Sequence, residues 1–264
     1  MYLHIAPQSS CAMAWLAAAE AVDAAPGHEA HNVIVDLANP LLESPIDQDI
    51  TAEVDAFLRQ HNHWPVRTVA NTIFPKSLYD RHGAPDFYDV YLSKVYPRIK
   101  RPQGDWGRYF ERMITFPLHK KGKSINPLQD IVGKIKLQLT GPRCFRNVYE
   151  LTVYDPIRDA GPVMNRQCLS FLSFKLTDRI PRKLLLTAMY RNHYYIERLL
   201  GNLVGLSWLM KFVADETGVA VGELTIVSTH AEIDNAASRY EISALLKRCR
   251  ALAEVSNDST LCLV

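Results

Sequence analysis

Residues 165–176 read NRQCLSFLSFKL and place a thiol, Cys168, at the head of an apolar run that predicts a buried strand. Alternation along a strand divides the apolar side chains between two faces: Cys168, Leu172, Phe174 and Leu176 on one, Leu169 and Phe171 on the other. A strand that is apolar on both faces is expected inside a sheet that is covered on both sides. The run therefore predicts a layered fold, in which Cys168 is either a small core residue or a nucleophile that faces a pocket.

The composition is that of an ordinary globular protein, with 264 residues, 48% hydrophobic and 22% charged. We find no internal repeat and no low-complexity linker, so residues 1–264 are predicted to form a single domain. The net charge of +2 lacks the basic excess that neutralises phosphates along a nucleic acid. We therefore expect no nucleic-acid partner.

The cysteine pattern favours a reducing compartment. The five cysteines form a scattered set without a CxxC pair: Cys11, Cys144, Cys168, Cys249 and Cys262. This argues against both a disulfide framework and a zinc ribbon. The alanine-rich run 11–25 has internal acidic residues and no preceding Lys or Arg, unlike a signal peptide. No stretch reaches the roughly 18 to 20 apolar residues of a membrane span, so the sequence predicts a soluble, cytoplasmic protein without a membrane partner.

Hydrophobic periodicity predicts helices and strands along the chain. Predicted helices cover 11–25, 51–61, 65–73, 85–99, 106–113, 126–139, 193–216 and 235–254. Predicted strands cover 32–37, 147–154, 166–177, 183–191 and 223–230. The helix 193–216 is apolar nearly all round, as expected for a helix through the middle of a protein. Together these elements predict an α/β protein with a pocket between its sheet and its central helix.

An ordered series of polar motifs follows Cys168. These are YRNH at 190–193, GNL at 201–203, GEL at 222–224 and STHAEID at 228–234. The series resembles the thymidylate synthase superfamily, which includes the pyrimidine nucleotide hydroxymethylases. In that family a nucleophilic cysteine precedes a phenylalanine by six residues, as Cys168 precedes Phe174. A phosphate-binding arginine precedes a base-reading asparagine by eleven, as Arg191 precedes Asn202. The resemblance covers roughly residues 125–235.

The resemblance implies both a fold and a reaction. The fold is α/β (α+β), with a mixed twisted sheet, helices on one face, and a homodimer formed by the other faces of two sheets. The reaction is one-carbon transfer to C5 of a pyrimidine nucleotide, either methylation or hydroxymethylation, with 5,10-methylenetetrahydrofolate as the implied donor. A pyrimidine C5 becomes nucleophilic when a thiolate adds at C6, which is why such a site needs a cysteine.

The resemblance also implies roles for individual residues. Cys168 is then the nucleophile, and Arg191 both holds the phosphate and lowers the pKa of the thiol. An amide both donates and accepts hydrogen bonds, as the N3 and O4 edge of uracil requires. Asn202 is therefore expected to read a uracil-type base.

Three further candidate residues lie in basic or aromatic segments. Arg143 and Arg146 fall close to two family arginines that reach the partner's phosphate across the dimer interface. Solvated loop arginines are the alternative interpretation. Trp106 opens the element 106–113, which resembles one that lines the family's pocket, and we assign it to the cofactor side.

Other positions depart from the family pattern. The family's sugar-binding histidine and tyrosine fall at Glu232 and Asp234, its folate-contacting aspartate falls at Tyr194, and its general-base glutamate falls near Asn71. Carboxylates accept hydrogen bonds from ribose hydroxyls. Glu232 and Asp234, together with His230 and Tyr194, are therefore expected to form a rebuilt substrate site.

Alternative interpretations stay open. On an extended strand His230, Glu232 and Asp234 would share a face and suit a hard metal ion, although we expect a polar strand end and no metal. One rival function is a thiol-dependent enzyme that uses no folate and acts on a modified nucleotide or another heterocycle. The other is a non-catalytic nucleotide-binding dimer, in which Cys168 only packs.

Overall fold

A computed structural model describes residues 2–101, 107–118, 124–141, 145, 147–161 and 166–261, with the backbone alone after Glu254. Helix accounts for 51% and strand for 23% of the structure, so the chain is a mixed α/β protein, as predicted. No helix in these ranges is long and apolar enough to cross a membrane.

The strands within the described residues are β1 (Leu3–Gln8), β2 (Glu29–Leu37), β3 (Phe116–Pro117), β4 (Ser124–Ile125), β5 (Glu150–Thr152), β6 (Leu169–Leu176), β7 (Lys183–Tyr190), β8 (His193–Tyr194) and β9 (Ala220–Glu232). Apart from the β3–β4 pair, they form one sheet in the order β1-β2-β9-β7-β6-β5, with β8 beside β9. The sheet is mixed, because β7 and β8 run parallel to β9 whereas β2 runs antiparallel to it. The prediction of a mixed sheet is confirmed.

The helices are α1 (Cys11–Asp23), α2 (Pro45–Gln60), α3 (Val66–Ile73), α4 (Lys76–His82), α5 (Asp86–Val90), α6 (Tyr96–Ile99), α7 (Tyr109–Ile114), α8 (Pro127–Leu139), α9 (Pro156–Asp159), α10 (Leu199–Thr217) and α11 (Arg239–Leu261). Two of them begin at a polar residue that caps the helix. Ser10 accepts a hydrogen bond from the Met13 amide, and Asn126 accepts one from the Gln129 amide ahead of a proline at the first turn.

One face of the sheet forms the core. Leu184, Leu186, Ala188 and Tyr190 alternate along β7 with more exposed neighbours, and α1 and α10 pack over the buried side. Met189, on the opposite face, is 39% exposed in the single chain. Burial of the sheet in one chain is therefore one-sided, whereas the sequence indicated two apolar faces for residues 166–177.

A bulge in β6 breaks the strict alternation of side chains that the sequence predicted. Leu169 pairs with Tyr190 and Phe171 pairs with Met189, so β6 holds one extra residue at this point. As a result Leu169 and Leu172 are both fully buried, although strict alternation placed them on opposite faces. The extra residue bends the strand immediately after Cys168.

The central helix begins later than predicted. Residues 193–194 form β8 and residues 195–198 form a turn, so α10 starts at Leu199 rather than at 193. Its residues are buried nearly all round, as expected. The sequence pattern also missed β1, α4, α9 and the β3–β4 pair, all of which are short elements, and it began α2 six residues too late.

Two glycines allow α10 to approach α3 closely. A Cβ added at Gly201 would lie 2.5 Å from Val69 Cβ, and one at Gly205 would lie 2.7 Å from the Ala70 carbonyl oxygen. Distances below 3.0 Å require a shift of the neighbouring atoms, and a helix backbone yields little. The packing of α10 on α3 therefore depends on the missing side chains.

We predict that Gly205→Ala lowers the free energy of unfolding by about 1–3 kcal/mol, because its methyl group meets backbone. Gly133→Ala is the matched control, since Gly133 lies in α8 with no atom within 4 Å of an added Cβ. That control should be neutral or stabilising by about 0.5–1 kcal/mol. Urea unfolding of both variants measures the difference, and equal stabilities would contradict the close-packing argument.

Candidate active site

Cys168 and Arg191 lie side by side where β6 begins and β7 ends. The Arg191 amide donates to the Cys168 carbonyl at 3.0 Å, which extends the antiparallel pairing of the two strands by one step. The structure therefore brings together the two residues that the sequence assigns to nucleophile and phosphate binding.

The Arg191 guanidinium is held by backbone carbonyls. Its Nε donates to the Gln167 oxygen at 3.0 Å, and Nη2 donates to the Arg166 oxygen at 3.4 Å. Among the described residues Arg191 forms no ion pair, and the side chain is half-buried. A cation held in this way keeps its charge available to an anionic ligand.

The Cys168 thiol lies in a mixed electrostatic environment. Burial raises its pKa, the nearby Arg191 and Arg198 lower it, and Glu232 raises it again. The net effect is a pKa above the ordinary value of a cysteine, so the half-buried thiol is protonated in the free protein at neutral pH. Arg198 was not predicted from the sequence. Its only sequence signal is its position seven residues after Arg191, directly before the central helix.

Arg198 also connects the thiol environment to an exposed aromatic ring. Its guanidinium lies 5.0 Å from the ring centroid of Trp64, which is 55% exposed. Its Nη2 also lies 3.3 Å from a carboxylate oxygen of Glu197. Such a cation over an indole ring forms a stacking surface for planar, anionic molecules.

Tyr109 fixes the backbone at the start of β6. Its hydroxyl accepts hydrogen bonds from the amides of Cys168 at 3.3 Å and Leu169 at 3.4 Å. The ring belongs to α7, within the element 106–113 that the resemblance places at the pocket. Trp106 itself lies outside the described residues, as do Arg143 and Arg146.

A second link joins the residue before the thiol to Gly107. Gln167 Nε2 donates to the Gly107 carbonyl at 2.8 Å. Gly107 has φ of +81°, and a Cβ there would lie 2.5 Å from Glu111 Oε2. The position therefore requires glycine for both its backbone angle and its space.

Two arginine–carboxylate ion pairs lie near Gly107, and all four side chains are buried or half-buried. Arg112 pairs with Asp159 through contacts of 2.6 and 2.9 Å, and Arg158 pairs with Glu111 through contacts of 2.8 and 3.1 Å. Burial would raise the pKa of Asp159, but the bound Arg112 lowers it below its ordinary value. Planar two-point pairing of this kind satisfies both partners and gives a rigid support.

Asn202 lies on the first turn of α10, and its amide is 3% exposed. Its Nδ2 lies 2.9 Å from His193 Nε2, and the Nδ1 of that histidine lies 3.0 Å from Ser228 Oγ. Asn202 Oδ1 is buried and has no hydrogen-bond partner among the described residues. The predicted base reader therefore offers an unused acceptor.

The three polar residues near the end of β9 do not share one role. Glu232 accepts from Asn192 Nδ2 at 3.1 Å, and His230 Nδ1 lies 2.5 Å from Asn192 Oδ1. Asp234 lies beyond the strand and accepts from the amides of Ile196 at 2.8 Å and of the following residue at 3.2 Å. Burial raises the pKa of Asp234 to about 6.

The placement of Asp234 removes the geometric basis for the metal alternative. Its carboxylate caps the turn that leads into α10, whereas His230 and Glu232 bind Asn192. The part of the chain that the structure describes contains no group of three His, Cys, Asp or Glu that could hold a metal ion.

Tyr194, in β8, is 42% exposed. Burial raises the pKa of its hydroxyl, and the charges of Glu232 and Cys168 raise it further.

Two surface cavities in the described part of the chain lie away from Cys168. One, of about 340 Å³, lies between α1 and α11 beside the Glu20–Arg250 ion pair. A smaller one lies beside Arg112 and Arg158. Cys168 lines neither of them, so the pocket expected between the sheet and the central helix is not among these cavities.

Comparison with known proteins adds no assignment. No protein-family model and no curated protein matches the chain. A functional proposal therefore rests on the chain's own residues.

We predict that alkylation distinguishes Cys168 from the two other described thiols. Burial raises the pKa of both Cys11 and Cys249 to about 12, so these should react slowly in the native protein. Because Arg191 lowers the Cys168 pKa and Glu232 raises it, Arg191→Ala should shift the pH–rate profile of Cys168 upward and Glu232→Gln should shift it downward.

Iodoacetamide labelling between pH 6 and 10, followed by peptide mass spectrometry, measures these profiles. Arg179→Ala is the control, since Arg179 lies in the exposed turn at the other end of β6. An unchanged profile in both site variants would show that the charges do not act on the thiol.

Proposed function

We propose that this protein transfers a one-carbon unit to C5 of a pyrimidine nucleotide, through a covalent adduct between Cys168 and C6 of the base. The observation that carries the proposal is the backbone contact between Cys168 and Arg191, an arginine that forms no ion pair among the described residues, together with the position of Asn202 one helical turn after Arg198. The Arg191 amide donates to the Cys168 carbonyl, and the backbone nitrogen of Asn202 donates to the Arg198 carbonyl at 2.9 Å. Arg198 in turn acts on the thiol.

Each residue then has a chemical task. Arg191 binds the phosphate, and Asn202 Oδ1 accepts a hydrogen bond from the N3–H group of the base. Addition of the Cys168 sulfur at C6 places electron density on C5, which attacks the one-carbon unit. Loss of the C5 proton and cleavage of the bond between the one-carbon unit and its donor would leave a methylene group on C5. This carbon would take a hydride from the folate donor in methylation or a water molecule in hydroxymethylation, and expulsion of the sulfur would restore the ring double bond. Glu232 accepts a hydrogen bond from the sugar in this scheme.

Two exposed aromatic residues and Arg198 fit a planar, anionic co-substrate. Tyr194 and Trp64 are both exposed, Arg198 lies over the Trp64 ring, and its charge acts on Cys168. When bound, 5,10-methylenetetrahydrofolate would supply the one-carbon unit, and these residues would hold it by stacking and charge attraction. Tyr194 replaces an acidic residue of the family, so the contacts to this group differ from the family pattern.

The raised pKa of Cys168 favours one rival, the non-catalytic nucleotide-binding dimer. A protonated thiol in the free protein is a weak nucleophile. In that case the nucleotide binds through Arg191 and Asn202, and no chemistry follows at C5. Turnover separates the two functions.

We predict that the protein releases tritium from a C5-labelled uracil nucleotide and that Cys168→Ser lowers this rate by more than about 10³-fold, since the nucleophile is lost. UMP, dUMP, CMP and dCMP should be tested with and without methylenetetrahydrofolate. Cys249→Ser is the matched control, because Cys249 is a buried thiol in α11. Equal release by Cys168→Ser and the unmodified protein would refute the covalent scheme, and nucleotide binding without release would favour the binding protein.

We also propose that two chains associate through the uncovered sheet faces. Phe171 and Met189 pair across β6 and β7 on that face and are only partly buried in the single chain. Burial of such apolar groups against a second sheet would stabilise a dimer.

We predict that Met189→Arg converts the dimer to monomer, because it places a charge in the interface. Leu137→Arg is the control, since Leu137 is an exposed apolar residue of α8. Sedimentation velocity of the three proteins measures this. A monomeric unmodified protein, or a fully dimeric Met189→Arg protein, would contradict the proposed interface.

A further inference from the structure

His193 is a buried histidine that the proposed chemistry does not use. It is 2% exposed, and its ring stacks on Tyr190 with centroids 4.0 Å apart and planes 10° apart. Tyr195 packs edge-on against it at 5.5 Å. Two aromatic rings therefore fix the plane of the imidazole between Ser228 and Asn202.

The orientation of the Asn202 amide assigns the ring proton of His193 to one nitrogen. An amide nitrogen donates and does not accept, so His193 Nε2 must be the acceptor for Asn202 Nδ2. The ring proton then lies on Nδ1 and is donated to Ser228 Oγ. That oxygen also accepts from the Tyr195 hydroxyl at 3.3 Å, and a hydroxyl oxygen has lone pairs for both.

Burial keeps the His193 ring neutral. It lowers the pKa of His193 to about 3, so the ring carries one proton throughout the physiological range. A rotated Asn202 amide would place Oδ1 against the lone pair of Nε2, which is repulsive. The Nδ1-protonated ring therefore holds the amide in this orientation, and the amide in turn favours that tautomer.

The held orientation leaves Asn202 Oδ1 as the unused acceptor. A buried acceptor without a partner destabilises a protein by about 1–3 kcal/mol. A ligand that brings a hydrogen-bond donor removes this penalty, whereas a ligand that brings an acceptor adds repulsion.

We propose that Ser228 and His193 are positioning residues that hold the Asn202 amide so that the site selects a base with an N–H donor at its reading edge. Uracil has such a donor at N3, whereas N3 of cytosine is an acceptor. This inference rests on the proposed function, since it assumes that the ligand is a pyrimidine nucleotide.

The tautomer can be tested without any nucleotide. In the full-length protein labelled with ¹⁵N-histidine, the nitrogen shifts of His193 should show a protonated Nδ1 and an unprotonated Nε2. Ser228→Ala removes the acceptor for Nδ1 and should move the population toward protonated Nε2. Ser207→Ala is the matched control, because Ser207 is a buried serine of α10 that bonds the Val204 carbonyl instead. Protonated Nε2 in the unmodified protein would overturn the inference, whether or not the variants fold.

Calorimetry with UMP and CMP then tests the selection. The unmodified protein and Ser207→Ala should bind UMP at least about 10-fold more tightly than CMP, which corresponds to one hydrogen bond. In Ser228→Ala the ratio of the UMP affinity to the CMP affinity should fall at least about threefold. Equal affinities in the unmodified protein, or an unchanged ratio in Ser228→Ala, would overturn the inference.

Failure of the inference is distinguishable from failure of the proposed function. Tritium release that depends on Cys168 but does not discriminate between uracil and cytosine nucleotides would retain the thiol chemistry and reject the role of Ser228 and His193. Protonated Nδ1 without binding of any pyrimidine nucleotide would retain the tautomer and reject both the base selection and the proposed function.

Discussion

The pairing of β6 with β7 is the constraint on which the candidate site depends. It places the Arg191 amide on the Cys168 carbonyl and the Arg191 side chain on the carbonyls of the two residues before the thiol. The bulge after Leu169 bends β6 at this point, and Tyr109 binds the two amides at the bend. A slip of one residue in this register would reverse the side chains and separate the sulfur from the guanidinium.

Two ion pairs away from the thiol make the start of β6 rigid. The Arg112–Asp159 pair is buried, and its arginine also donates to the Val153 carbonyl at 3.0 Å. The Arg158–Glu111 pair fills the space beside Gly107, whose carbonyl binds Gln167. Buried ion pairs contribute little net stability on average. Their position here indicates that they fix the geometry ahead of β6 rather than strengthen the fold.

The sequence predicted the long elements better than the site. Residues 169–176 and 183–190 have strong alternating or continuous apolar patterns, and Asn126-Pro127 is a distinctive helix start, so burial and capping decide these elements locally. The sequence pattern assigned the stretch 193–198 to the central helix because the start of α10 depends on tertiary contacts. These contacts are the pairing of β8 with β9 and the capping of the following turn by Asp234. The same contacts explain why Arg198 and His193 were not identified as neighbours of Cys168 and Asn202.

Two of the buried polar atoms that lack a hydrogen-bond partner among the described residues lie in the same region. Tyr195, Ser228 and His193 satisfy one another, yet the Tyr190 hydroxyl and Asn202 Oδ1 on either side of His193 are buried and without partners among the described residues. Each such atom destabilises the free protein by about 1–3 kcal/mol. A sequence selected for stability alone would replace these groups with apolar residues of similar shape. In the proposed scheme a bound nucleotide would complete the hydrogen bonding of Asn202 Oδ1 and remove that part of the penalty.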